Sequence, residues 1–99
     1  MRNFFIIGYG NIGKEHHKAI IKIDVKKTIW VYDKKFQNSY YDKNLRTYYI
    51  NFIPSKKNID LLILSCLAKD RFRMTLEFLK KNKKKYTIFE KFVFQNSHE

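Results

Sequence analysis

The sequence is poor in several residue types, and each shortage argues against a class of protein. Its one cysteine, Cys66, excludes an internal disulfide and fits a reducing cytoplasm. The three histidines and this cysteine form no cluster at metal-ligand spacing, so we predict no metal site. No apolar run approaches the ~20 residues of a membrane span, and we expect no signal peptide after Arg2. The prediction is a cytoplasmic protein with no membrane partner.

Acidic residues are also scarce, with 9 against 21 basic residues and a net charge of +12. Such an excess makes nucleic acid the first partner to consider. Nearly all of it is lysine, and the richness in Lys, Asn, Ile, Tyr and Phe is typical of AT-rich coding rather than of a binding face. Nucleic acid is therefore the less favoured partner. The length of 99 residues and 44% hydrophobic content predict one globular domain.

Glycine occurs only at positions 8, 10 and 13, directly after the apolar run Phe4–Ile7 and before a helical stretch. Strand, glycine turn and helix in this order are typical of a dinucleotide-binding βαβ unit. Gly8 would allow the tight turn, Gly10 the close approach of a pyrophosphate, and Gly13 the packing of helix on strand. The helix start would bind the phosphates through its backbone amides. The predicted cofactor-binding residues here are Gly8, Tyr9, Gly10, Asn11, Ile12 and Gly13.

Hydrophobic patterning predicts an α/β fold for residues 1–92, followed by a short tail at 93–99. Continuous apolar runs indicate central parallel strands covered on both faces. The order of elements favours a doubly wound, mostly parallel, Rossmann-like sheet with strand order 3-2-1-4-5. The predicted strands cover 3–8, 28–32, 45–50, 60–66 and 86–89; the helices cover 11–23 and 69–82; residues 34–44 are predicted as a loop or ragged helix.

Helical spacing also predicts which side of each helix faces the sheet. In the first helix the buried residues would be Ile12, His16, Ala19, Ile20 and Ile23. In the second they would be Phe72, Leu76 and Leu79, with Met74 and Phe78 beside them. The lysines 80, 81, 83, 84 and 85 are expected to crowd the end of the second helix.

Asp33 ends the second predicted strand, 33 − 13 = 20 residues after Gly13. An acidic residue at this offset accepts hydrogen bonds from an adenosine ribose and repels a 2′-phosphate, which favours NAD over NADP. Lys34 and Lys35 follow at once and could tolerate that phosphate, so NADP stays open as the alternative cofactor. The topology also places Ser65 and Cys66, after the fourth strand, on the same crevice.

Three features together resemble the N-terminal, NAD(P)-binding domain of the Gfo/Idh/MocA oxidoreductases. Gly8, Gly10 and Gly13 are followed by His16, the second strand ends in Asp33, and the fifth ends in Glu90-Lys91. The resemblance implies hydride transfer between a nicotinamide and a sugar, sugar nucleotide or polyol. It also implies that Lys91 is catalytic and that Ser65, Cys66 and Glu90 lie by the cofactor, whereas His16 either contacts the cofactor or only packs on the sheet.

The chain departs from the family pattern at two motifs and in length. Phe92 replaces the proline that follows the family's Glu-Lys pair, and Asp70 stands where the family has a histidine. The family's second, substrate-binding domain is missing, so we expect a fragment that is catalytically incomplete. A non-catalytic nucleotide-binding module or a truncated remnant is the alternative. Besides the dinucleotide, the expected partner is the missing C-terminal domain, or a second copy joined through the exposed edge of the fifth strand.

Overall fold

The computed structural model describes residues 1–90, which form one six-stranded sheet and two helices. No helix within this range is long and apolar enough to cross a membrane. The elements in chain order are β1 (Arg2–Ile7), α1 (Asn11–Ile21), β2 (Lys27–Tyr32), β3 (Tyr40–Asp42), β4 (Thr47–Ile50), β5 (Asn58–Leu64), α2 (Ala68–Lys81) and β6 (Lys83–Phe89).

The sheet is parallel except at one edge, and its order is β3-β4-β2-β1-β5-β6. The predicted five-strand order is therefore wrong as stated, because residues 40–42 form an additional strand antiparallel to β4 rather than part of a loop. The turn between them is held by Asp42 Oδ1, which accepts the backbone N–H of Asn44 at 3.0 Å. Cross-strand ring stacking of Tyr40 on Tyr49, with centroids 4.8 Å apart, stabilises the pairing.

The two helices cover opposite faces of the sheet. Alternate residues of β1 point to the two sides, so that Phe5 belongs to one core cluster and Phe4 to the other. Phe78 of α2 packs in the cluster of Phe5, with ring centroids 5.0 Å apart, whereas Ile20 of α1 packs in the cluster of Phe4. Each buried strand residue thus contributes to one of two layers, and the α/β class is confirmed.

The buried side of α1 differs from the predicted one. The helix buries Gly13, His17 and Ile20 and ends at Ile21. His16 is only half-buried and Ala19 is exposed, and Ile23 lies beyond the helix end. Successive residues are ~100° apart around a helix, so His16 and His17 face different surroundings. The prediction named the wrong histidine.

The buried side of α2 also differs. Met74 and Phe78 are buried against the sheet, whereas Phe72, Leu76 and Leu79 are 75%, 44% and 45% exposed. The helix carries apolar residues on two faces, and the periodicity alone identified the outer one as the core.

Three of the lysines expected at the end of α2 belong to a strand instead. Lys83, Lys84 and Lys85 open β6, which is an edge strand and longer than predicted. Edge lysines disfavour pairing with a further strand, because each added chain would bring charges together and desolvate them.

Candidate functional site

Two of the three glycines are required by the packing of the turn between β1 and α1. Gly8 has φ of +98°, and a Cβ there would lie 2.7 Å from the backbone nitrogen of Cys66. A Cβ on Gly13 would lie 2.1 Å from the carbonyl oxygen of Gly8. Any side chain at either position would push backbone apart, so the fold itself explains these two glycines.

Gly10 has no such explanation within the protein. A Cβ built on it meets no atom within 4 Å, and its φ of −83° is available to any residue. The space beside it is open and borders the crevice at the ends of the strands. The absent side chain leaves room for something that approaches the backbone from outside.

The start of α1 faces this space with uncapped backbone amides. Gly10 is the N-cap residue, no side chain caps the helix, and its first turn has no acidic residue. The N–H groups of the first turn cannot bond within the helix, and the helix dipole places partial positive charge there. The arrangement of Asn11, Ile12 and Gly13 is suited to binding an anion.

Asp33 joins the end of β2 to the glycine turn. Its Oδ2 accepts the backbone N–H of Tyr9 at 2.9 Å, and its Oδ1 accepts that of Lys35 at 2.9 Å. A carboxylate offers about four acceptor positions, so each oxygen can accept a further bond from a ligand hydroxyl. Asp33 is therefore held in place and still able to bind.

The side chain of Tyr9 anchors the same turn on the other side, through a buried chain of hydrogen bonds. The Thr47 hydroxyl donates to the carbonyl of Leu45 at 2.9 Å, so its oxygen is left to accept from His17 Nε2 at 2.9 Å. His17 Nδ1 then accepts the hydroxyl of Tyr9 at 2.6 Å. Burial lowers the pKa of His17 and raises that of Tyr9, so both rings are neutral. Sequence reasoning missed His17, although Gly13, His17 and Ile20 are at helical spacing.

Acidification should weaken the fold through His17. Its pKa in the fold lies below the ordinary value of 6.5, so the unfolded chain takes up a proton first as the pH falls. Stability contributed by the neutral ring is present above pH ~6.5 and is lost below it, by at most ~1.4 kcal/mol per pH unit. Urea unfolding between pH 7.5 and 5.0 should show a steeper loss for the wild type than for His17→Gln. The other titratable groups are common to both proteins, so parallel curves would contradict a lowered pKa.

A cavity of about 420 Å³ opens at the carboxyl ends of β1, β2 and β5. Its size is in the range of small-molecule sites. It brings together seven of the residues predicted to bind a cofactor: Gly8, Tyr9, Gly10, Asp33, Lys34, Ser65 and Cys66. The other lining residues are Ile7, Tyr32, Lys35, Leu67, Lys69, Asp70, Arg73 and Met74.

The α2 side of the cavity was not predicted. Lys69 and Arg73 lie one turn apart on this helix and contribute two positive charges opposite Asp33, Lys34 and Lys35. The sequence did contain a sign of these two cavity residues. They are four positions apart just after the Ser65–Leu67 turn, and the first turns of a helix that follows a sheet strand border the same crevice.

Ser65 and Cys66 line the cavity but are engaged by the protein. The hydroxyl of Ser65 is buried and donates to the carbonyl of Gly8 at 2.6 Å, which fixes the turn. Burial raises the pKa of the Cys66 thiol, so it stays protonated and is a poor nucleophile. Both residues therefore shape the wall of the cavity.

The remaining predicted site residues do not line the cavity. Asn11, Ile12 and Gly13 lie at the helix start beside it, and Glu90 lies at the end of β6. Glu90 Oε2 pairs with His16 Nε2 at 2.5 Å, and the backbone carbonyl of Glu90 accepts a hydrogen bond from Arg71. Lys91, the predicted catalytic residue, lies outside the described residues.

Comparison with known proteins identified no relative. No family model, no curated protein and no solved structure matches the chain. Within residues 1–90, no group of three or more His, Cys, Asp or Glu residues is placed to hold a metal ion.

Proposed function

We propose that the protein binds a dinucleotide, NAD or NADP, at the glycine turn and the adjoining cavity. The observation that carries the proposal is Gly10. Gly8 and Gly13 are glycines because the fold leaves no room for a Cβ, whereas Gly10 borders open space in front of uncapped helix amides. A ligand phosphate that approaches the backbone is a physical reason for glycine at this position.

The cavity residues suit the separate parts of such a ligand. The amides at the start of α1 would hold the pyrophosphate, and Asp33 would accept hydrogen bonds from the adenosine ribose. The apolar walls formed by Ile7, Leu67 and Met74 would take the adenine ring. Because Asp33 already holds the Tyr9 amide, the ribose and phosphate positions are set relative to each other before the ligand arrives.

The fold is proposed to be Rossmann-like on the same grounds. The five parallel strands follow one another as β4-β2-β1-β5-β6, and the chain reverses its winding between β1 and β5. Ligands of open α/β sheets bind at such a switch point, beyond the carboxyl ends of the strands. The antiparallel β3 is then an addition at the edge, distant from the cavity in the sheet order.

The proposed activity is that of a Gfo/Idh/MocA-like oxidoreductase of the cytoplasm, acting on a sugar, sugar nucleotide or polyol. The nicotinamide, when bound, supplies the hydride acceptor or donor. The support is the resemblance of the glycine turn with His16, Asp33 and Glu90-Lys91. The hydrogen bond between His16 and Glu90 links two parts of that pattern, and it holds the end of β6 beside the middle of α1.

A non-catalytic dinucleotide-binding module is the second candidate. Ser65 is buried and bonded to Gly8, and Cys66 is protonated, so neither is available for chemistry on a substrate. Asp70, at the position of a family histidine, pairs with Arg73 at 3.4 Å. The dinucleotide part of the proposal does not depend on the choice between these two.

Titration calorimetry of the whole chain with NAD, NADP and a short DNA duplex tests the proposal. We expect micromolar dinucleotide binding, NAD ahead of NADP, and no binding of the duplex at physiological salt. Asp33→Ala should reduce the preference for NAD several-fold, because the ribose hydroxyls lose their acceptor and a 2′-phosphate loses its repulsion. Exposed Asp24→Ala, at the other end of the sheet, is the matched control. Duplex binding without dinucleotide affinity would contradict the proposal.

A further inference from the structure

The outer face of α2 is apolar although it lies on the surface. Phe72, Leu76 and Leu79 are exposed, whereas Met74 and Phe78 fill the core on the opposite side of the helix. An ordinary surface helix has one apolar stripe, turned towards the core. A second stripe of three large residues on the solvent side has no use within the described chain.

The spacing of these residues matches the seam of a coiled coil. Residues 72, 76 and 79 are separated by four and three positions, which are the alternating a and d steps of a heptad. Phe72 and Leu79 take d positions and Leu76 the a position between them. From first to last the stripe spans about 10 Å along the helix, and we call it the α2 seam.

Positive charge lies along one side of the α2 seam. Arg73 and Lys80 occupy the e positions, Lys69 the preceding a position, and Thr75 the opposite flank at g. The two acidic residues of the helix, Asp70 and Glu77, lie at b positions, outside the flanks, and pair with Arg73 and Lys81. No acidic residue of α2 therefore flanks the seam.

We propose that the α2 seam is the docking surface for an acidic amphipathic helix of a partner protein. Apolar a and d residues of that helix would cover Phe72, Leu76 and Leu79. Its Glu or Asp residues at flanking positions would face Arg73 and Lys80, as complementary flanks do in heteromeric coiled coils. Arg73 also lines the cavity of the proposed dinucleotide site, whereas Phe72, Leu76, Leu79 and Lys80 lie outside it.

Charge argues against a second copy of this chain as the occupant. Antiparallel pairing of two α2 seams would bring the cations at e positions together, and each chain carries +12 overall. A membrane surface fits less well, because the stripe is only three residues long and its cations lie on one side rather than on both.

The test uses a synthetic 21-residue peptide with Leu at a and d and Glu at e and g, whose like charges keep it from pairing with itself. Fluorescence anisotropy with the whole chain should show saturable micromolar binding that weakens with added salt. A matched peptide with Lys at e and g should not bind. Leu76→Ser combined with Leu79→Ser should weaken binding at least about tenfold, since each truncation removes a buried contact. Lys80→Glu should weaken it severalfold.

Two controls keep the result interpretable. Ile23→Ser removes an equally exposed apolar residue outside the α2 seam, and Lys22→Glu reverses a surface charge at the C-cap of α1; neither should change peptide binding. Circular dichroism should show all variants folded. The proposal is overturned if neither peptide binds or if both bind alike. It is also overturned if the seam variant abolishes instead a concentration-dependent dimer in sedimentation, or binding to vesicles of anionic lipid, without any effect on the acidic peptide.

Discussion

Gly10→Ala should abolish most dinucleotide binding while leaving the fold intact. The new methyl group enters space that no protein atom occupies within 4 Å, so it makes no clash. Its cost to the folded state is the preference for glycine over alanine at an N-cap, about 1 kcal/mol. The same methyl group would occupy the position of a phosphate at the first turn of α1. Loss of two charge-assisted hydrogen bonds corresponds to about 3 kcal/mol, or roughly a hundredfold in affinity.

Calorimetric titration with NAD and thermal unfolding of the unliganded variant measure the two effects separately. The expected pattern is a strongly raised Kd with a melting temperature within about 5 °C of that of the wild type. Unchanged affinity would show that no ligand approaches Gly10, and it would remove the observation on which the proposed function rests. Lys18→Ala, on the exposed side of the same helix, should alter neither quantity.

Gly13→Ala, the same substitution three residues further on, should instead lower the stability of the unliganded protein. Its Cβ would lie 2.1 Å from the carbonyl oxygen of Gly8 and 3.0 Å from Ser65 Oγ. The nearer contact is backbone, so α1 has to move away from the turn. Such overpacking typically costs 1–3 kcal/mol or more, and the better helix propensity of alanine recovers only about 1 kcal/mol.

We expect a net loss of about 2 kcal/mol, which lowers the melting temperature of a domain this size by roughly 10 °C. Differential scanning calorimetry of the unliganded protein measures it. Gly10→Ala serves as the internal comparison, because it makes the same chemical change in open space. Equal melting temperatures for the two variants would mean that α1 can shift without cost, and the tight contact between helix and turn would then be no constraint on the fold.

Features that depend on local sequence could be predicted, whereas features that depend on contacts between distant residues could not. The glycine turn and the α/β class follow from local patterns, because positions 8–13 and the continuous apolar strands are constrained by their own neighbours. Asp33 was correctly placed at a strand end. Its bond to the Tyr9 amide was not foreseen, because that contact joins residues 24 positions apart.

The missed features depend on tertiary context. Periodicity gives the spacing of apolar residues on α2 but not which of two apolar faces meets the sheet. Phe72 was therefore predicted at the centre of the buried side, with Phe78 only beside it. The strand β3 exists because Tyr40 stacks on Tyr49, a cross-strand contact that propensity does not register. The sequence does not distinguish His16 from His17, because the packing of α1 on the sheet decides which of the two residues is buried.

Glu90 has a consequence for how the molecule opens. Its carboxylate binds His16 on α1, its carbonyl accepts from Arg71 on α2, and its own amide donates to Leu64 of β5 at 3.1 Å. One residue at the end of β6 thus fastens helices that lie on opposite faces of the sheet. Local unfolding of either helix breaks its contact with Glu90 and so loosens the residue to which the other helix is bound. We therefore expect the amide protons of both layers to exchange with solvent as one cooperative unit rather than as two independent ones.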